Sequence, residues 1–121
     1  MQPTIGRVVL YTLTEDDANA INRRRAGRAT RERADVTTYG NRAEAGQIFP
    51  ATVVRVWPPE SAPLCNLQVN LDGADGAWVT SRAEGDKPGT WSWPPLATGG
   101  VLGRGVVLVG ETGPAALGFE G

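Results

Sequence analysis

The sequence predicts a mainly β fold, a small antiparallel barrel or sandwich of five or six strands with one helical insertion after the first strand. Apolar and β-branched runs recur along residues 4–95, and the run at 64–73 shows the cleanest alternation between apolar and polar residues. The turn sequences DGADG and EGDKPG separate neighbouring runs. We therefore expect residues 1–95 to form the barrel domain, with a helix and loop insertion at 14–46. Residues 96–121 are expected to extend from it as a glycine-rich arm.

The strand predictions rest on residue type and periodicity. Residues 48–57 are apolar on both faces, which is typical of a central strand. In residues 64–73 the odd-numbered positions from Cys65 to Leu71 are apolar and face one way, while the polar residues between them face the other. The predicted strands are residues 4–13, 48–57, 64–73, 77–81 and 90–95, followed by residues 106–109 if a sixth forms.

The residues after the first predicted strand carry the signals of a helix N-terminus. Thr14 precedes three carboxylates, and its hydroxyl resembles half of a capping box in which Asp17 replaces the usual glutamate. We expect a helix from Glu15 to about Ala26, because acidic residues at its start and arginines at its end favour the helix dipole. Residues 29–46 show no periodicity and are expected to form a long loop.

The composition excludes several kinds of catalytic and metal site. The chain has no histidine and one cysteine, which excludes a histidine base, an internal disulfide and a multi-cysteine zinc site. Cys65 alternates with apolar residues, so we expect a buried thiol and not a nucleophile. The DGADG sequence lacks the ligand spacing of a calcium loop. We therefore predict a protein that is not an enzyme and uses no cofactor or metal.

The charge and the N-terminal residues predict where the protein works. The formal net charge is −1, whereas proteins that bind DNA through overall charge are usually basic. Residues 1–11 lack the basic start and apolar stretch of a signal peptide, and no run is long enough to span a membrane. We expect a protein that is made in the cytosol and does not enter a membrane.

A cluster of arginines between residues 21 and 33 is the first candidate binding site. Arginine forks suit phosphates, which favours nucleic acid. However, acidic residues interrupt the cluster, and it contains no aromatic residue on which a base could stack. We therefore favour arginines that face water or an acidic protein partner, and nucleic acid is the alternative. The candidate residues are Arg23, Arg24, Arg25, Arg28, Arg31 and Arg33.

The four tryptophans are the second candidate. Each lies in a predicted strand, where an aromatic side chain usually fills the core or pairs with a neighbouring strand. Trp91 and Trp93 are expected to share one face of the last strand, and the prolines after Trp93 make it the most exposed of the four. These two residues are therefore candidate anchors for a protein partner. A stacking platform for sugars is a weaker alternative.

Several segments taken together resemble a known group of viral proteins. The order TIGRVVLYTL, INRRR, GNRAEAGQIFPATVVRVW, NLQVNLDG, WVTS and PGTWSWPP is similar to that of a small, largely uncharacterised protein family of tailed bacteriophages. The resemblance covers roughly residues 3–95 and identifies no catalytic or binding residue.

The resemblance implies a viral origin and, with the predicted fold, a role in the phage particle. We expect a structural or accessory subunit in the virion, such as a capsid decoration protein, made in the cytoplasm of the bacterial host. Its expected partners are other phage structural proteins of the capsid, neck or tail, and further copies of itself. A nucleic-acid-binding module that uses the arginine cluster is the alternative function.

Overall fold

The computed structural model describes residues 1–95, which form one antiparallel sheet and one long helix. The predicted strand at 106–109 and the predicted arm at 96–121 lie outside the described residues. A 3-10 turn at Val36–Thr38 follows the helix. The elements in chain order are β1 (Val8–Thr12), α1 (Glu15–Glu32), β2 (Ile48–Trp57), β3 (Leu64–Asn70), β4 (Gly76–Arg82) and β5 (Trp91–Ser92).

The sheet has the strand order β4-β3-β2-β1-β5, and all of its paired strands are antiparallel. The predictions of a mainly β fold, an antiparallel sheet and a helix after the first strand are confirmed. β2 is the central strand, as expected from its apolar residues, and its ten residues pair with β1 and with β3. The sheet is not closed, because β4 and β5 are its two edges in the described residues. A single parallel bridge between Glu84 and Trp91 joins the segment after β4 to β5.

The core lies on one face of the sheet, beneath the first half of α1. Alternate residues of β1, β2 and β3 point inward, because side chains in a strand alternate between its faces. Ala18 and Ile21 of α1 pack against them. Trp91 is fully buried, and its Nε1 donates to the carbonyl oxygen of Arg82 at 3.0 Å. The fully buried side chains of the core include Val9, Tyr11, Leu13, Val53, Cys65, Leu67, Val69 and Trp91.

The helix begins as predicted but extends further. Thr14 and Asp17 form the expected capping box, with the Asp17 backbone N–H donating to the Thr14 hydroxyl at 2.9 Å. The prediction that the helix ends at about Ala26 is wrong, because α1 continues to Glu32 and ends at Arg33 with a φ of 55°. A glycine inside a helix costs about 1 kcal/mol relative to alanine. Tertiary contacts of the last two turns, including the burial of Ala29, offset this cost.

The residues after α1 are joined by backbone hydrogen bonds to the turn between β3 and β4. The Ala74 backbone N–H donates to the Tyr39 carbonyl at 2.8 Å, and the backbones of Gly40 and Gly73 form an isolated bridge. A Cβ atom on Gly73 would collide with the Tyr39 carbonyl oxygen. This close backbone approach requires glycine, and it fixes the path of the insertion across the end of the sheet.

Candidate interaction surface

The arginine cluster is held to the body of the protein by Asp75, which lies in the turn between β3 and β4. The Arg25 side chain is 3% exposed, and its Nε and Nη2 donate to the Asp75 carboxylate at 3.1 and 2.7 Å. Its Nη1 donates to the Asn41 carbonyl oxygen at 2.6 Å. Arg24 donates to the same carboxylate at 2.8 Å and to the Gly76 carbonyl oxygen at 3.0 Å. One carboxylate therefore binds two guanidinium groups.

The electrostatics of this group match its geometry. Burial would raise the pKa of Asp75, but the hydrogen bonds and charges of Arg25 and Arg24 outweigh burial and hold that pKa below its ordinary value. A buried arginine needs such a partner, since an unpaired charge in the protein interior is strongly unfavourable. The role of Arg25 is thus to join α1 to the β3–β4 turn, and its side chain offers no surface to a partner.

The remaining arginines of the cluster have two different environments. Arg28 pairs with Glu32 at 3.1 Å, and its guanidinium lies 4.3 Å from the centre of the Tyr39 ring. Arg23, Arg31 and Arg33 are exposed and form no ion pair with any residue in the range 1–95. Arg23 and Arg31 are eight residues apart and lie on the same ridge of α1. The structure therefore does not bring the six predicted arginines together as one site.

The predicted pair Trp91 and Trp93 forms a contact that is mostly internal. Their rings meet edge to face, with centroids 5.4 Å apart and an interplanar angle of 88°. Trp91 is fully buried, whereas Trp93 is partly buried and has the Arg7 guanidinium 5.3 Å from its ring centre. Trp93 can contribute to a surface, but the two rings do not form an exposed platform for sugar stacking.

The sheet itself carries an apolar surface on the side opposite the core. Val8 lies opposite Thr52 on the neighbouring strand, and Thr52 lies opposite Gln68. Gln68 lies opposite Trp78, whose side chain is 59% exposed. This row crosses four strands and carries no charged residue. We call the surface formed by this row and its neighbours on β1 and β2 the outer sheet face. It consists of Val8, Leu10, Thr12, Ile48, Pro50, Thr52, Gln68 and Trp78.

The exposure of Trp78 was not expected from the sequence. Core packing or cross-strand pairing was the prediction for each tryptophan, and Trp93 was expected to be the most exposed. Strand alternation explains the exposure of Trp78, because Val79 is buried and its neighbour Trp78 must then face outward. The exposed side chains of Val8 and Ile48 follow the same rule, opposite the buried Val9 and the partly buried Phe49.

Other polar groups inside the described residues have structural roles. The Tyr11 hydroxyl donates to Asp17 at 2.5 Å, and burial followed by this hydrogen bond raises the pKa of Tyr11. The Arg82 Nη2 lies 3.8 Å from Asp17, and the Arg82 Nε is buried without a hydrogen-bond partner in residues 1–95. Cys65 is fully buried as predicted, and burial raises the pKa of its thiol.

Neither a metal site nor a membrane-spanning helix is found within the described range. Residues 1–95 contain no group of three or more cysteine, aspartate or glutamate side chains placed to bind a metal ion. In the same range, α1 does not have the length of apolar sequence that a membrane crossing requires.

Comparison of the sequence with protein-family models and with curated proteins gave no match, and comparison with solved structures gave none either. The expectation of a phage origin therefore depends on the sequence resemblance, and the candidate surfaces depend on the geometry described above.

Proposed function

We propose that the protein is a non-enzymatic accessory subunit of a tailed-phage particle, most simply a capsid decoration protein, which acts through protein–protein contacts. The observation that carries this proposal is the outer sheet face, an uncharged surface that extends across four strands and ends at the exposed Trp78. Its partners are structural proteins of the capsid, neck or tail, and further copies of the chain.

The composition of the outer sheet face supports an interaction role. When one face of an antiparallel sheet packs on the core and the other meets water, the solvated face normally carries polar residues. Here the outward positions of β1 and β2 are mainly apolar or β-branched, with Val8 53% exposed and Ile48 58% exposed. Connected apolar residues on a protein surface mark interaction sites, and tryptophan is enriched at their centres.

The proposed architecture is a small barrel with a glycine-rich arm formed by residues 96–121. Two backbone hydrogen bonds between the segment after β4 and strand β5 support the barrel. The Trp91 backbone N–H donates to the Ala83 carbonyl at 3.0 Å, and the Gly85 N–H donates to the Trp91 carbonyl at 2.8 Å. The proposed arm would bind a neighbouring subunit as an extended segment, as peptides do in several known modes of recognition.

Analysis of purified virions tests the function. Quantitative mass spectrometry of particles should find the protein in the virion, and a copy number comparable to that of the major capsid protein would identify a decoration subunit. A copy number of a few per particle would place it in the neck or tail instead. If washed particles lack the protein while infected-cell lysates contain it, the virion proposal is wrong.

A nucleic-acid-binding module is the second candidate, and the exposure of Arg23 and Arg31 favours it. Both are free of ion pairs with described residues and lie on one ridge of α1, where phosphates can reach them. Titration of DNA at rising salt tests this candidate, with Arg42→Gln as a control arginine outside the helix. The double variant Arg23→Gln, Arg31→Gln should weaken binding and reduce the salt dependence by about two charges. Absence of binding at low salt would remove this candidate.

A further inference from the structure

The outer sheet face matches one segment of the chain in chemistry. The eight residues of the face include no charge. Residues 101–109, with the sequence VLGRGVVLV, carry one charge in nine positions and four valines among their apolar residues. We propose that the outer sheet face binds residues 101–109 of a second copy of the chain. This inference rests on the proposed assembly function for its choice of partner.

An extended segment of this length is long enough to cross the face. Four strands spaced by about 4.8 Å span about 14 Å between the outermost backbones, and nine extended residues reach about 30 Å. Trp78 stands at one end of the row and Val8 at the other, and both side chains are more than half exposed. Gln68 and Thr52 lie between them and offer hydrogen-bonding groups to a bound main chain.

The direction in which the chain leaves the sheet favours a second copy over the same molecule. β5 runs antiparallel to β1, with Ser92 opposite Leu10, so the chain travels toward the start of β1. Trp93 then contacts Arg7, and Pro94 and Pro95 follow. The chain therefore passes the end of β1 that carries Val8 and runs away from the rows that contain Pro50 and Ile48. The described chain thus ends pointing away from the rows that must be covered, whereas a segment of a second copy can approach them from any direction.

Photo-crosslinking of the purified full-length protein tests this inference. Val107→Cys places a reactive thiol in the segment, and Cys65 does not compete for the label because it is fully buried and its thiol pKa is raised. A benzophenone maleimide is attached to the new cysteine, and ¹⁵N-labelled and unlabelled protein are mixed before irradiation. Mass spectrometry then maps the crosslinked peptides, and the isotope mixture separates crosslinks between molecules from those within one.

We expect mixed-isotope crosslinks from position 107 to peptides that contain residues 48–52 or 76–80. Crosslinks confined to single molecules would overturn the inference, and so would crosslinks directed to other surfaces or a failure to crosslink at concentrations up to the millimolar range. In analytical ultracentrifugation, the protein without the label should self-associate.

A matched pair of variants tests the face independently of the crosslinker. Trp78→Ala should weaken self-association at least tenfold, the effect of losing an aromatic anchor at an interface. Val36→Ala removes an exposed apolar side chain from the 3-10 turn, away from the outer sheet face, and should leave self-association unchanged. Both positions are solvent-exposed, so both variants should keep the parent circular dichroism spectrum. Equal association of the Trp78→Ala variant and the parent would refute the role of the face.

The two proposals can fail separately. Self-association through this face in a protein that is missing from washed virions would disprove the virion function and leave the interface intact. A protein that is abundant in virions but monomeric in solution, with no crosslinks between molecules, would keep the function and disprove the interface.

Discussion

Replacing Asp75 by alanine removes the partner of a buried charge and tests how α1 is held to the sheet. The Arg25 side chain is 3% exposed, and Asp75 supplies the carboxylate that neutralises it. Removing one partner of a buried ion pair costs about 3–5 kcal/mol. The Asp75 side chain is 18% exposed, so the pair keeps some contact with water. We therefore expect a loss at the lower end of that range, about 3 kcal/mol. Arg24 adds little to this cost, because its side chain is 49% exposed and can return to water.

Urea unfolding followed by tryptophan fluorescence measures this effect. A loss of about 3 kcal/mol corresponds to a fall in melting temperature of roughly 12–24 °C for a domain of this size. Asp72→Ala is the matched control, since its carboxylate lies in the same turn and accepts one exposed hydrogen bond from Asn41. This control should change the free energy of unfolding by no more than about 0.5 kcal/mol. If the two alanine variants unfold at the same urea concentration, the buried pair does not stabilise the fold as argued.

Two further measurements sharpen this prediction. The double variant Arg25→Met, Asp75→Leu should recover most of the lost stability, because apolar residues of similar volume often replace a buried pair without loss. The pair also predicts a pH dependence. Because the folded pKa of Asp75 lies below its ordinary value, its stabilisation is present above about pH 4 and is lost as the pH falls through the folded pKa. The parent should therefore lose more stability between pH 5 and pH 2 than Asp75→Ala does.

Three other predictions concern groups in or near the core. Because the folded pKa of Tyr11 is raised, the stability that Tyr11 contributes is complete below its unfolded pKa of 10.0 and falls as the pH rises above that value. The Tyr11→Phe variant should therefore lose less stability than the parent between about pH 9.5 and 11.5. Gly73→Ala should destabilise the protein by about 2 kcal/mol in thermal unfolding, because its Cβ would meet the Tyr39 carbonyl oxygen. Gly46→Ala is the comparison, because its new Cβ meets open space and its cost comes from backbone strain alone. Cys65 should react with a thiol reagent at the rate of global unfolding, and rapid labelling of the native protein would contradict its burial.

The sequence determined those features that depend on neighbouring residues. The alternation at 64–73 predicted that Cys65, Leu67 and Val69 face the core, since a strand places alternate side chains on opposite faces. The capping box of Thr14 and Asp17 was also predictable, because both hydrogen bonds form between residues three positions apart.

The tertiary structure decided features that join distant parts of the chain. Arg25 and Asp75 are 50 residues apart, and no local pattern indicates that they meet. Their pairing changes how the arginine cluster is interpreted, because it buries Arg25, which the sequence analysis predicted as a binding residue. The end of α1 was decided in the same way, because packing against the insertion outweighs the helix-breaking tendency of Gly27.

The exposure of the aromatic residues also depended on the assembled sheet. Trp78 and Trp91 both lie in short strands, but Trp78 is 59% exposed and Trp91 is fully buried. β4 turns the Trp78 side chain to the outer sheet face, whereas the position of β5 beside β1 turns Trp91 into the core. Periodicity assigns residues to alternate faces of a strand. Only the packing of α1 and the neighbouring strands decides which of those faces is covered.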